Sequence, residues 1–546
     1  MPKPRAVVSS AKLIALCTLL SRITGMLRDM LLAQSFGLQW VQDAFKYGFL
    51  IPNLFRRLFG EGALAAVFVP IFTQTLENEE REAAWRLLAR VLALLTLVLV
   101  AVILLLEAAL VGVWLFAPQA DHLMLGLTSI MLPFMLTVCV LALFSSILNC
   151  LGSFVPAALA SVVLNVVMIV GILWFAPVAG DDSQTARVQH AYGVAWSVLA
   201  AGVLQVAFIL PSLRRLGVPL RWELSPRDPV VRRIIALMGP VLLGQGAVML
   251  GTFLDAQICV LLTQKPGGPD HANWFGLQFA YPLHEGAFSA LDTAQRLYQF
   301  PLGVLVISLG TAALPAFSRL AGRGEWAAWT DEIRMLLRLS IFEGMLAGAM
   351  MIVLAEPIVR LLFEYKRFDA AATTRTAHVL IVYGFCMWAF CAQHIVQRAF
   401  YSVGQVNTPL RIALVFLPLN FALSVVLVWF EPLREAAFAI SSAVTSSGAV
   451  IVGLILLRKR TAGGLLDARL LTPVAKMLLA AAISGLAVWA LRGQVLQSGI
   501  LTPLPRITAR AVDCLGHLAV GGGLYLLLAR WFGLSEVGAL LSLRKK

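Results

Sequence analysis

The chain has 546 residues, of which 60% are hydrophobic and only 13% charged, against roughly 25% charged in an ordinary globular chain. Lys and Arg number 43 and Asp and Glu 29, a net charge of +14, yet no polar segment is long enough to form a separate basic domain for nucleic acid. A soluble enzyme and a nucleic-acid binder are thereby excluded, and the composition predicts an all-α polytopic membrane protein.

A span needs about 20 mostly apolar residues. Counting such runs predicts fourteen transmembrane helices, centred near Leu20, Leu50, Val100, Thr137, Val166, Ala201, Val248, Val304, Ala347, Met387, Leu417, Ser442, Ala482 and Leu524. The first is no cleavable signal, because Arg22 and Arg28 follow the apolar core Leu13 to Leu20 inside the same segment. The third, Val91 to Pro118, carries Glu107 as its only charge.

Basic residues crowd alternate ends of the spans. They are Lys3, Arg5 and Lys12, then Arg214, Arg215, Arg221, Arg227, Arg232 and Arg233, then Arg458, Lys459, Arg460 and Arg469, and finally Arg544, Lys545 and Lys546. The link Pro118 to Asp121 has none, although other outward links are mixed, with Lys366 and Arg367 in one and Arg492, Arg506 and Arg510 in another. The positive-inside rule then predicts that both termini are cytoplasmic. The seven cysteines form no CxxC pair and read as buried hydrophobes.

An internal repeat is legible. Ala65 to Gln74, AAVFVPIFTQ, aligns with Gly310 to Arg319, GTAALPAFSR, and the Leu151 to Pro156 turn with Asn165 aligns with the Val403 to Pro409 turn with Asn420. The repeat predicts two parallel six-helix bundles, residues 1–215 and 231–460, joined by a cytoplasmic linker at 216–230 and followed by helices 13 and 14 in 461–546.

Charges sit where lipid should be. The first span holds Arg22, Arg28 and Asp29; the second Asp43, Lys46, Arg56, Arg57 and Glu61; the seventh Asp255; the eighth Glu285, Asp292 and Arg296. A cation at mid-bilayer costs about 2.5–3.5 kcal/mol on insertion scales, so these residues are expected to bind an anion, to pair with one another, or to snorkel. Arg22 and Arg28 are six apart, roughly 120° around a helix, so converging them needs a wide cavity or a break at Gly25. Arg57 and Glu61 are spaced to pair, which leaves Arg56 as the expected free donor. Guanidinium forks match phosphate oxygens bidentately and stay charged, which favours a diphosphate over an organic cation. Asn165 and Asn420 are expected to hydrogen-bond between helices. His284, His378 and His394 are isolated, and no HExxH, GxSxG, P-loop or dinucleotide motif is present, so no metal or cofactor is predicted.

The segment Ser21-Arg-Ile-Thr-Gly-Met-Leu-Arg-Asp29, then Asp43-Ala-Phe, Ile51-Pro-Asn-Leu-Phe-Arg-Arg-Leu-Phe-Gly-Glu-Gly-Ala63 and Val69-Pro-Ile-Phe72 resemble the MurJ/MviN family of lipid II flippases. The resemblance continues in Gln295-Arg-Leu-Tyr-Gln-Phe-Pro301, Leu362-Phe-Glu-Tyr-Lys-Arg-Phe368 and Phe400-Tyr-Ser-Val-Gly404. It implies the fourteen-helix fold of the multidrug/oligosaccharidyl-lipid/polysaccharide exporters, the bacterial inner membrane, and lipid II carried between leaflets by alternating access. It implies substrate-binding roles for Arg22, Arg28, Arg56 and Arg296, acidic partners at Asp43 and Glu61, and a prenyl-tail groove in helices 13 and 14. Asp29, Asp255 and Asp292 are expected to support the cavity. The chain departs from the family at Gln295 and Gln299, where acids are usual, and in a long link from Lys265 to Phe275. Coupling to the membrane potential, sodium or protons is left open. The expected partners are lipid II, membrane lipids and cell-wall synthesis proteins; the competing readings are an exporter of another polyprenyl-linked glycan or drug, and a non-transporting scaffold.

Overall fold

The computed structural model describes residues 4–78, 81–117, 121–177, 183–225, 227–274, 277–304, 306–405, 407–458, 461 and 464–538. Lys3, Lys459, Arg460, Phe275, Pro118 and the terminal Arg544, Lys545 and Lys546 lie outside them. All fourteen predicted centres fall within helices. Ten helices among the described residues are long and apolar enough to cross a membrane by length and composition, and the chain is a multi-pass membrane protein. It forms two compact units, Met1–Phe253 and Leu254–Lys546.

The first unit opens with α1 (Pro4–Phe36) and α2 (Trp40–Phe55). The second predicted span continues from α2 through a π-helical stretch, Arg56–Phe68, into α3 (Val69–Asn78). That stretch contains Gly60 and Gly62, which hold the α ladder least firmly of any residue but proline. There follow α4 (Arg81–Phe116), α5 (His122–Met131), α6 (Phe134–Cys150), α7 (Val155–Trp174) and α8 (Gln184–Arg215). Asp121 and Ser183 cap α5 and α8, accepting from the amides of Met124 and Ala186. Phe36, Phe45, Phe68, Phe72 and Phe134 fill the core, whereas α4 turns Leu104, Leu105 and Phe116 outward, as a lipid-facing helix does. Arg90 on α4 donates to Glu223 Oε1 at 2.7 Å and pairs with Asp228, fastening the link after α8.

α9 (Pro229–Leu261) leads into the second unit. An antiparallel hairpin follows, β1 (His271–Trp274) and β2 (Leu277–Ala280), with His271 opposite Ala280. It begins in the link noted as long, and the apolar pattern did not announce it. Phe279 meets Trp429 edge-on, ring centroids 5.2 Å apart.

The second unit continues with α10 (Ala287–Val304), α11 (Val306–Gly322), α12 (Trp326–Leu362), α13 (Ala370–Ser402), α14 (Asn407–Leu427) and α15 (Ala436–Arg458). It closes with α16 (Ala468–Ser498), α17 (Arg506–Ala511), a short π turn and α18 (His517–Trp531). α12 kinks at Leu354, ahead of Pro357, whose missing N–H interrupts the ladder. α12 and α13 touch backbone to backbone: a Cβ on Gly344 would lie 2.8 Å from Trp388 Cα, and one on Gly384 2.9 Å from Gly348 O.

The repeat is visible in the packing. Phe72 and Phe317 are both fully buried, while Pro70 and Pro315 are both exposed. Phe72 stands 6.0 Å from Trp85 at the head of the next helix, and Phe317 shares a core cluster with Trp329, also at the head of the next helix.

The basic residues of the last link are paired. Arg492 reaches Asp513 at 3.1 Å, and buried Arg510 donates to Glu364 O at 2.6 Å and to its carboxylate, lying 5.2 Å over the Tyr365 ring. These charges count for little as free positive charge.

Candidate functional site

The predicted residues are described unit by unit. α1 runs unbroken through Gly25, so the break that would converge Arg22 and Arg28 is absent; they project roughly 120° apart. Arg22 is half-buried, whereas Arg28 is 8% exposed. Arg28 Nε and Nη2 both donate to Asp29 Oδ1, at 2.9 and 2.8 Å, and Nη1 donates to Asn165 Oδ1 at 3.0 Å. Asn165 Nδ2 donates back to Ser21 O at 3.0 Å and to Thr24 Oγ1 at 3.1 Å. A guanidinium kept in a span is thus supplied with one carboxylate and one amide, the compensation burial demands.

Asp43 is buried in the first turn of α2, beside Gln42, whose side-chain amide has no partner among the described residues. Arg56 differs from the expectation of a free donor: its Nε donates to Asn53 Oδ1 at 2.9 Å. The π-helical turn also removes the α-helical spacing assumed for Arg57 and Glu61. Glu61's side chain lies outside what the structure describes.

In the second unit Asp255, 5% exposed, accepts from Asn420 Nδ2 at 3.0 Å and from Ser424 Oγ at 3.2 Å, both on Oδ1. Thr445 Oγ1 donates to Asn420 Oδ1 at 3.3 Å, so α9, α14 and α15 are joined through one amide. Arg296 Nε donates to Asp292 Oδ2 at 3.0 Å, one turn back on α10, with both side chains about a quarter exposed. Gln295 Nε2 donates to Tyr383 Oη at 3.2 Å, and Gln299 is exposed. Glu285 accepts through its backbone carbonyl from Arg375 Nη1 at 2.9 Å.

The two repeat-related asparagines therefore do the same work on opposite charges: Asn165 ties α7 to a cation on α1, and Asn420 ties α14 to an anion on α9. Their helix-joining role was readable from the repeat; their partners were not, nor were Ser424, Thr445 and Tyr383. Among the described residues no group of three His, Cys, Asp or Glu side chains could hold a metal. Chemically, each unit offers a guanidinium that rests on a carboxylate, Arg28 on Asp29 in the first and Arg296 on Asp292 in the second, and such a fork binds phosphate in the same geometry.

The family described as lipid II flippase MurJ matches residues 32–509. A MurJ relative from Bdellovibrio bacteriovorus is 32% identical over 491 residues, covering 88% of this chain and 87% of its own. The lipid II flippase MurJ of Burkholderia cenocepacia is 31% identical over 411 residues, 73% of each chain. A solved lipid II flippase MurJ in an inward closed conformation superposes with a TM-score of 0.71 at 20% identity, covering 95% of this chain and 98% of that one. An inward-facing multidrug resistance MATE family transporter of the MOP superfamily gives 0.64 at 15% identity over 81% and 94%. These two likenesses show the fold. The match across most of its length, together with relatives above 30% identity, places the chain in the MurJ family of lipid II flippases.

Proposed function

We propose that the chain flips lipid II from the cytoplasmic to the periplasmic leaflet of a bacterial inner membrane, with both termini in the cytoplasm. Family membership supports the substrate. In this reading residues 1–215 and 231–460 are the two rocking bundles, 216–230 is the linker, and 461–546 carries the groove for the prenyl tail. The bundles alternate in access around a cationic cavity to which Arg22, Arg28, Arg56 and Arg296 contribute.

The observation that carries the cavity is Arg28: a permanent cation buried in a span, whose fork rests on Asp29 and Asn165. A diphosphate arriving beside it replaces one carboxylate oxygen by several phosphate oxygens, and the guanidinium keeps its bidentate geometry. Asp292 would release Arg296 in the same way. The carrier makes and breaks no bond; an inside-negative potential favours outward movement of each net negative charge by about 2.3 kcal/mol per 100 mV.

The test uses cells depleted of their own flippase. They carry the native chain, Arg28→Ala or Arg28→Lys at equal expression, and lipid II exposed on the outer leaflet is measured. Exposure restored by the native chain alone supports a guanidinium-dependent flippase. Full exposure with Arg28→Ala sinks the cavity assignment, and no exposure with the native chain sinks the substrate.

A further inference from the structure

The second unit has a cavity of about 630 Å³ where the N-terminal ends of α12 and α16 meet the segment after α18, remote in sequence from the charges expected to bind substrate. The volume suits a small-molecule group. Its charged lining is mixed: Arg334, Arg338 and Arg469 with Asp331 and Glu536.

The internal pairing of this lining is incomplete for both signs. Arg338 donates to Glu536 Oε1 and, at 3.2 Å, to Ser535 Oγ. Arg334 pairs with Asp331 and, at 3.2 Å, with Asp467. Glu536 is only 5% exposed and Arg334 only 7%, yet Glu536 Oε2 and Arg334 Nε have no hydrogen-bond partner among the described residues. Burying such atoms unpaired is costly. The exposed guanidinium of Arg469 donates to no group among the described residues, although its backbone carbonyl accepts from Arg338.

A simple anion would serve the arginines and be repelled by Glu536 and Asp331; a simple cation would meet the converse. A molecule with a phosphate and an ammonium a few bonds apart answers both. Met335, Ala468 and Pro473 give the remaining wall an apolar part, beside the hydroxyls of Thr472 and Ser535. The same ends of the helices carry the ring pairs Trp326–Trp329 and Trp531–Phe532, with Trp531 79% exposed. Amphipathic rings of this kind settle at headgroup depth, where pockets between helix ends take lipid headgroups.

We propose that this cavity binds the headgroup of a zwitterionic phospholipid bearing a primary ammonium, with its phosphodiester on Arg469 and Arg334, its ammonium on Glu536, and its glycerol against Met335 and Pro473. The site is independent of the substrate reading above. The test is native mass spectrometry of the full chain in detergent, titrated with dioleoylphosphatidylethanolamine or dioleoylphosphatidylglycerol, for the native protein, Arg469→Ala and Glu536→Gln. Arg469→Ala removes no side-chain partner, so it reports even if Glu536→Gln loosens the fold. The ethanolamine lipid is expected to lose about tenfold in affinity in Arg469→Ala, the equivalent of one charge-assisted hydrogen bond, and Glu536→Gln to abolish its advantage over the glycerol lipid. Soluble glycerophosphoethanolamine that displaces the lipid at equal concentration would assign the same chemistry to a free phosphoamine. Affinity unchanged in Arg469→Ala, or an equal loss for both lipids in Glu536→Gln, overturns the proposal.

Discussion

Asn165 and Arg28 are joined across α7 and α1 by a 3.0 Å hydrogen bond from Nη1 to Oδ1, and the same amide donates twice to α1. Asn165→Ala therefore strips a buried cation of one acceptor, at an expected cost of about 1–3 kcal/mol, seen as a lower melting temperature in detergent. Asn165→Asp, which keeps the acceptor and drops the donors, should fall between. An Asn165→Ala protein that melts with the native one would contradict the geometry.

The Asp255–Asn420 contact is the corresponding cross-link of the second unit. A double-mutant cycle with Asp255→Ala and Asn420→Ala is expected to give a coupling of about 0.6–1.7 kcal/mol, the range for hydrogen bonds between membrane helices. Additive losses within error would show that the bond contributes nothing to stability.

Gly348 lies against Gly384 O, and Gly384 against Gly348 O. Gly348→Ala must spread α12 and α13 or bend them, an overpacking cost of about 1–3 kcal/mol. Gly404, at φ +71 with open space around it, gives the contrasting control: Gly404→Ala is strained in backbone only, and Gly404→Asn, which tolerates that region, should recover much of the loss. Unfolding in a graded denaturant separates the two cases.

Arg296 Nε donates to Asp292 Oδ2 one turn back on α10. If Arg296 acts on the diphosphate, Arg296→Ala should lower lipid II exposure by more than about tenfold. Asp292→Ala, which removes that carboxylate from the guanidinium, should lower it less. Equal losses would make the pair structural.

Much of the fold was legible because a bilayer leaves the chain few options. Each predicted span centre lies in a helix, since an unpaired backbone is too costly in lipid for anything else. The repeat put Phe72 and Phe317 in matching buried places because the same pattern makes the same apolar stripe. The site was legible only in part. Arg28 pairs with the adjacent residue, Asp29, which no i,i+4 rule anticipates. Arg56 takes Asn53 rather than standing free, where a π-helical turn replaces the α spacing. The hairpin at His271–Ala280 and the cluster of Arg334, Arg338, Arg469 and Glu536 depend on contacts distant in sequence or on a short link, where periodicity carries no signal.

The Arg510–Glu364 pair spans 146 residues of sequence, and this separation imposes an order of events during synthesis. At roughly 5–20 residues per second, Arg510 leaves the peptidyl-transferase centre roughly 7–30 s after Glu364. Throughout that interval the carboxylate at the end of α12 has only its own helix to answer it, and Arg360, which reaches Glu364 Oε2 at 3.3 Å one turn back, is placed to serve as its first partner. The arrival of α17 then adds a buried long-range contact on Oε1 while Arg360 stays on Oε2, so a helix made late locks the end of one finished well before it.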